Sequence, residues 1–306
     1  MEIRIIGRGA LAGLVAGVLG FVFARIFAEP VINKAIDYEY GRESVLAALN
    51  HAAGRPFVSE GPEIFSRSTQ STIGVASGII AFSVAMGALV AVAYLVLHGR
   101  FNVRPSQLVW MIAGFGFLGV YLLPFVKYPA NPPAIGHSFT ITTRGELYLI
   151  MVAGSLVLLG LAVYLARRLT PRFGVLAATV LSGLAFLVVY SVLIGVLPSL
   201  GNLAANVAHQ NQFGYARAAT ETPQPITNIL STPLVVGAKT YAPGQLVYPG
   251  FDADVLWKFR WYSVINQLLI WTTIALVFGA LLDRFLAPAR PEATETPAPE
   301  PVGSAP

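Results

Sequence analysis

Cysteine is absent from the 306-residue chain, which removes disulfide staples, thiolate metal sites and cysteine nucleophiles together. Any metal met by this protein must be held by nitrogen and oxygen. Charge is scarce as well, since Asp, Glu, Lys and Arg make up 11% of the sequence, where a soluble domain averages about 25%. An ordinary cytosolic enzyme is thereby excluded. No G-x-x-x-x-G-K-[ST] occurs, because Gly237-Ala238-Lys239-Thr240 lacks the adjacent Gly-Lys, so ATP hydrolysis by a P-loop is excluded too. H-E-x-x-H is missing. Gly136-His137-Ser138-Phe139-Thr140 starts like a nucleophile elbow but lacks the closing glycine and a strand before it, so the chain reads as a non-enzyme.

What remains is hydrocarbon. Hydrophobic residues make up 55% of the chain and the mean hydropathy is +0.66, more apolar surface than one core can hide, so much of it must face lipid. The net charge of +5 is no nucleic-acid footprint, because the basic residues stand singly or in short groups beside apolar runs. A bilayer core about 30 Å thick requires about 20 apolar residues in a helix. Six runs qualify or nearly do: 9–27, interrupted only by Arg25, then 73–97, 108–126, 147–166, 173–197 and 261–282. Without backbone partners in lipid such runs must be helical, and they lack the strict alternation of a β-barrel. The expectation is an all-α integral membrane protein with about six transmembrane helices in a 1–286 domain.

Arginine placement orients the spans. The short loops carrying Arg100 and Arg104, and Arg167, Arg168 and Arg172, contain no acidic residue, the mark of a cytoplasmic loop. Both termini then lie in the cytoplasm, and residues 28–72, 127–146 and 198–260 form three extracytoplasmic loops, the last one long, with ten acidic and ten basic residues among them. The setting is a bacterial cytoplasmic membrane. Arg4 and Arg8 before the first run resemble a signal peptide, but Ile26-Phe27-Ala28 lacks the small residue of a cleavage site, so an uncleaved first helix is expected. Asp252 and Asp254 give a helix start signal before the last run. The 198–260 loop reads as a partly ordered cap, and 287–306, rich in Pro, Ala, Glu and Thr, as a disordered tail. No internal repeat is visible.

Several residue sets could carry function. Gly9, Gly13 and Gly17 form one helical stripe, echoed by Gly74 and Gly78, that allows close packing within the chain or against a second copy in a homo-oligomer. Arg25 either snorkels as an anchor, pairs with Glu29 one turn on, or contacts substrate. Asn266 and Gln267 sit inside the last span, where polar side chains either join helices or line a path. His51, His137 and His209 fall in outer loops and His98 does not; imidazole with carboxylates such as Asp37 and Glu39, with Glu43, Glu60 and Glu63 in the same loop, suits Co, Ni, Zn or Cu. Each histidine also reads as a plain solvated loop residue. The stretch Tyr128-Pro129-Ala130-Asn131-Pro132-Pro133-Ala134-Ile135-Gly136 is stiff and non-helical, either a rigid turn or a carbonyl-lined pore mouth.

The glycine-rich first helix running into Ala28-Glu29-Pro30, the proline segment with Thr143-Arg144 after it, and Asp254-Val255-Leu256-Trp257-Lys258-Phe259-Arg260 leading into Gln267 and Trp271 resemble the CbtA family of probable cobalt transporter subunits. The resemblance covers most of the chain apart from the tail. It implies a helical membrane component that works with a small, single-span, His-bearing CbtB-like subunit, and a five-span fold where the apolar runs give six. With it, the sequence reads as a subunit of a transition-metal uptake system, most specifically for cobalt. The outer histidines and carboxylates would collect the ion, and Asn266 and Gln267 would pass it inward, without an ATPase of its own. Co²⁺ would be cargo, with no tightly bound cofactor and only lipid, the small subunit or a second copy as partners. The contrasting reading is a non-transporting membrane scaffold or assembly factor.

Overall fold

The structure is a computed structural model that describes residues 1–57, 64–210, 212 and 221–286. Glu60, Glu63 and the 287–306 tail lie outside the described residues. In chain order, α1 (Glu2–Phe23) passes through a π-turn (Ala24–Ala28) into α2 (Glu29–Ala52). A short α3 (Arg67–Thr69) leads through a second π-turn (Gln70–Gly74) into α4 (Val75–Leu97). Then come α5 (Pro105–Gly116), a third π-turn (Phe117–Leu122), α6 (Leu123–Lys127) and the long α7 (Ile141–Val196). Beyond it lie α8 (Ala204–His209), the short strands β1 (Ile226–Thr227), β2 (Leu234–Val236), β3 (Lys239–Tyr241) and β4 (Leu246–Tyr248), and α9 (Ala253–Leu286). Five helical stretches are long and apolar enough to cross a membrane, and their outward faces stay apolar, as at Leu149, Val157, Leu161, Leu176, Val188 and Val196. Water would not tolerate that surface.

The central bundle is built on small residues. Ile5, Gly9, Ala12, Gly13, Ala16, Gly17 and Gly20 are the buried side of α1, and their spacing of three and four keeps them on one stripe. That stripe lies on α4. A Cβ on Gly13 would sit 2.8 Å from Val84 Cα and one on Gly17 2.8 Å from Ile80 Cα, while Gly9 and Gly87 meet through each other's carbonyls. Residues 9, 13 and 17 thus face 87, 83 and 80, so the helices run antiparallel. Gly74 and Gly78 are no part of this seam: no side chain comes within 4 Å of either glycine's added Cβ. Gly20 abuts Ile270 and Asn266 of α9, and Gly279 of α9 abuts Ser106 of α5. One apolar core, including Ala12, Ala91, Tyr94, Val109, Ile274 and Phe278, joins the four helices.

Prolines explain two of the π-turns. Pro30 and Pro124 have no N–H for the carbonyl four residues back, and in both cases the wide turn ends with a single residue between it and the proline and absorbs the misfit. The carbonyl that Pro124 leaves unbonded is that of Val120, and Tyr148 Oη of α7 donates to it at 3.2 Å. Tyr190 Oη donates to the neighbouring Leu123 carbonyl at 2.6 Å. Tyr148 and Tyr190 come from opposite arms of α7, which reverses at Gly174 (φ 76°, ψ 166°) just after Pro171. The two arms lie side by side: a Cβ on Gly154 would be 2.8 Å from Leu193 Cδ2, and Leu147, Met151 and Tyr190 share one core with Tyr128 and Leu203. The runs 147–166 and 173–197 are therefore two arms of one bent helix.

Helix extensions correct the loop boundaries read from hydropathy. Residues 29–52, expected in an outer loop, continue the first helix as α2, because Ala35, Val45, Leu46 and Leu49 bury against Ile135, Ile226, Leu234, Val247 and Phe251. Hydropathy of a single segment cannot register such packing. The last helix begins at Ala253 rather than 261, with Asp252 Oδ1 accepting the N–H of Asp254 at 2.8 Å and of Val255 at 3.3 Å as its cap. Residues 198–210 and 221–260 carry ordered structure. β1 pairs antiparallel with β4 and β2 with β3, and Tyr38 and Tyr248 tie this layer to α2 through Pro249 O and Tyr38 O, each at 2.9 Å. Glu29, buried, pairs with Arg67, which also donates to Asn33. Arg25 is exposed, so the pairing of Arg25 with Glu29 is replaced by one that ties α2 to α3.

Candidate functional site

Two polar features stand apart from the apolar packing. The first lies at the end of the bundle where the proline segment, α8 and residues 221–225 converge. Pro132 and Pro133 stiffen the chain ahead of Ala134 (φ 72°) and Gly136 (φ 124°), which turn it sharply and deliver His137. Gly136 is needed for its φ, which L side chains rarely adopt. Glu221, fully buried, accepts from Asn206 Nδ2 at 2.8 Å, Thr140 Oγ1 at 3.1 Å and the His137 backbone N–H at 3.2 Å. Asn206 Nδ2 also donates to Leu200 O at 2.8 Å. With both amide hydrogens so engaged, Asn206 Oδ1 must accept from His137 Nδ1, 2.7 Å away. The proton of neutral His137 is thereby on Nδ1, and the lone pair is on Nε2.

Electrostatics agree with a neutral ring. Burial pushes the His137 pKa below the ordinary histidine value, helped by Arg42 and Arg144, and the bond to Asn206 and the Glu221 charge only partly offset it. The 3.3 Å contact of His137 Nδ1 with Glu221 Oε2 is thus a neutral-imidazole contact rather than an ion pair. His209, on α8, directs Nδ1 at Ala205 O, 2.7 Å away, which again leaves the lone pair on Nε2. Phe139 stacks on both imidazoles, at 3.9 Å from His209 and 5.0 Å from His137. This pattern, an imidazole oriented by a carboxylate or carbonyl on its other nitrogen, is how metal-binding histidines are held.

The remaining expected ligands lie elsewhere. His51 and Asp37 are exposed and Glu39 is half-buried, all on α2, and they do not join His137 and His209. Among the described residues no three His, Asp or Glu side chains converge on one metal position. The proline segment presents its carbonyls to a side chain: Arg260 donates to Ala130 O at 3.3 Å and Asn131 Oδ1 at 3.0 Å, and Tyr128 Oη donates to Pro198 O at 2.8 Å. Glu221 and Asn206 were not singled out in the sequence. The available signal was that Glu221 is the only carboxylate between Glu146 and Asp252.

The second feature lies within the bundle. Asn266 Oδ1 and Gln267 Oε1, adjacent on α9, are both buried without a hydrogen-bond partner, as are Ser83 Oγ on α4 and Trp271 Nε1 one turn beyond Gln267. Asn266 faces Gly20 of α1, where an added Cβ would come 3.1 Å from its Oδ1. A buried acceptor left unpaired costs about 1–3 kcal/mol. At consecutive positions the two side chains point about 100° apart around the helix, so they present two separate oxygens rather than one shared face.

No curated protein and no solved structure matches the chain. A family model does, over residues 2–283: CbtA, described as a probable cobalt transporter subunit. With its long apolar helices and nearly the whole length matched, the chain belongs to the CbtA family.

Proposed function

We propose that this protein is the membrane-embedded subunit through which a transition-metal ion, cobalt in the first instance, crosses the membrane. The observation that carries the reading is the pair of unpartnered amide oxygens of Asn266 and Gln267 in the interior of a helix bundle. Oxygen and imidazole nitrogen are the donors left to a chain without cysteine, and they suit Co²⁺. His137 and His209, oriented by Asn206 and Ala205 and both stacked on Phe139, are the capture point at the outer end. His51, Asp37 and Glu39 on exposed or half-buried parts of α2 are auxiliary collectors. The path then runs to Asn266 and Gln267 and inward, driven by a gradient or by another subunit such as a single-span partner.

The same geometry supports six crossings with both termini on the Arg-rich side. The Arg167 guanidinium lies over the Phe101 ring at 4.4 Å and that of Arg8 over Phe285 at 3.7 Å, so both Arg loops meet at one end, and the first and last helices likewise end together. His137, Asn206 and Glu221 collect at the opposite end. Calorimetric titration of the purified chain with Co²⁺ tests the capture step. Binding should weaken in a His137→Ala/His209→Ala double variant and change little in His98→Ala. Equal binding by the double variant and the parent would remove the histidines from the mechanism.

A further inference from the structure

An apolar cleft of about 480 Å³ opens between α4, α5 and the first arm of α7. Its walls include Ala93 and Leu97 of α4, Met111 of α5, and Leu156, Gly160 and Val163 of α7, with the buried Trp271 at its back. Met111, Leu156 and Val163 remain exposed, so the cleft opens sideways, toward the hydrocarbon around the bundle. We infer that this cleft is a binding site for an anionic phospholipid, with an acyl chain in the cleft and the phosphate on Arg167.

The walls decide the class of occupant. The α4 lining runs from Met86 to Leu97, about 16 Å at 1.5 Å per residue. Every residue of the lining is apolar, so the space takes hydrocarbon and offers no partner to a polar group.

Charge decides the headgroup. Leu156, Gly160 and Val163 lie at successive spacings of four and three, and Arg167 continues the same face by four, so the lining stripe of α7 ends in a guanidinium. That guanidinium lies 4.4 Å over Phe101, itself a lining residue. One face of the guanidinium is then covered by the ring while the side chain stays exposed, and a planar guanidinium is the group that pairs with a phosphate. Arg100 and Arg104 in the same loop as Phe101 are exposed, and no acidic residue occurs from 64 to 145. Basic pockets between membrane helices recognise anionic lipid headgroups. The site is separate from the metal path and makes no use of His137, Asn266 or Gln267.

The test uses the full chain, delipidated in detergent and offered equal amounts of phosphatidylglycerol and phosphatidylcholine with identical acyl chains, with retained lipid counted by native mass spectrometry. Phosphatidylglycerol should be retained roughly fivefold over phosphatidylcholine, as one arginine near a phosphate supplies. Arg167→Gln should abolish the preference, whereas Arg284→Gln, on α9, should keep it. Gly160→Leu fills the cleft without altering charge, and nothing lies within 4 Å of its Cβ position, so the variant should fold and retain neither lipid. Equal retention of the two lipids by the parent would overturn the site. So would phosphatidylglycerol held by Gly160→Leu as by the parent, which would place it on the basic rim. A dimer that Gly160→Leu dissociates, with lipid retention unchanged, would assign the cleft to a second copy and overturn it as well.

Discussion

Replacing Gly13 tests how the central bundle is held. An added Cβ would overlap the Ser83 carbonyl oxygen and lie 2.8 Å from Ser83 C and Val84 Cα, all backbone atoms that cannot swing aside. Restoring an ordinary contact of 3.4 Å at Val84 alone requires α1 and α4 to part by roughly 0.6 Å. A gap of about 0.5–1 Å forfeits a quarter to a half of each dispersion contact across the seam, and the loss falls on Ala12, Ala16 and Ala91, all fully buried there. Gly13→Ala should therefore cost about 1–3 kcal/mol, the range for overpacking a tight site, and Gly13→Leu more. Thermal melting in detergent should rank parent, Gly13→Ala and Gly13→Leu in falling order. Gly78→Ala, with nothing within 4 Å of its Cβ position, should melt at or above the parent because alanine is the better helix former. If Gly13→Ala melts like the parent, the close approach of the two backbones is wrong.

The polar cluster at the outer end should behave as one unit. Glu221→Gln removes acceptor capacity from a carboxylate that takes hydrogen bonds from Asn206, Thr140 and the His137 backbone; each donor left unpaired costs about 1–3 kcal/mol, so the melting temperature should fall clearly, and an unchanged melt would refute the cluster. Burial lowers the His137 pKa, so folding favours the neutral ring: its contribution is complete above the unfolded value of about 6.5 and is lost as pH falls from there toward the folded value. Melting curves across that window should show the loss in the parent and a smaller one in His137→Gln; parallel profiles would contradict the assignment. For topology, single cysteines at Asn102 and Ser231, in a chain with no other thiol, should be respectively hidden from and labelled by an impermeant thiol reagent on intact cells, and labelling at 102 would invert the arrangement.

How much was legible in the sequence follows from which forces are local. Lipid removes water as a partner for the backbone, so apolar length alone located the helical segments, and the glycine spacing of α1 marked a stripe built for close contact. The stripe's partner was not legible: Gly74 and Gly78 repeat the pattern yet meet no side chain, whereas Ser83 and Gly87 supply the seam. The helical continuation through α2 escaped for a related reason, since α2 holds charged residues and is kept helical by packing, whereas the Asp252 signal did mark the start of α9. The bend of α7 was foreshadowed by Pro171 and Gly174, but its closure depends on Tyr148 and Tyr190 finding carbonyls that Pro124 and its π-turn present. At the candidate site, His137 and His209 were visible as residue types. The parts that orient them, Glu221 and Asn206, lie 84 and 69 positions from His137, beyond the reach of any local pattern.

Cobalt uptake by cells carrying Gln267→Leu or Asn266→Leu tests the central claim most directly. Each substitution replaces an unpartnered amide by an apolar group of similar size, so the bundle should keep its thermal stability or gain some. With a single-span partner co-expressed, the parent chain should raise cobalt accumulation above that of cells lacking it, and either variant should drop accumulation to the level of cells without the chain. Accumulation by well-folded Gln267→Leu and Asn266→Leu equal to the parent's would contradict a path through α9, and no gain from the parent itself would contradict the transport role altogether.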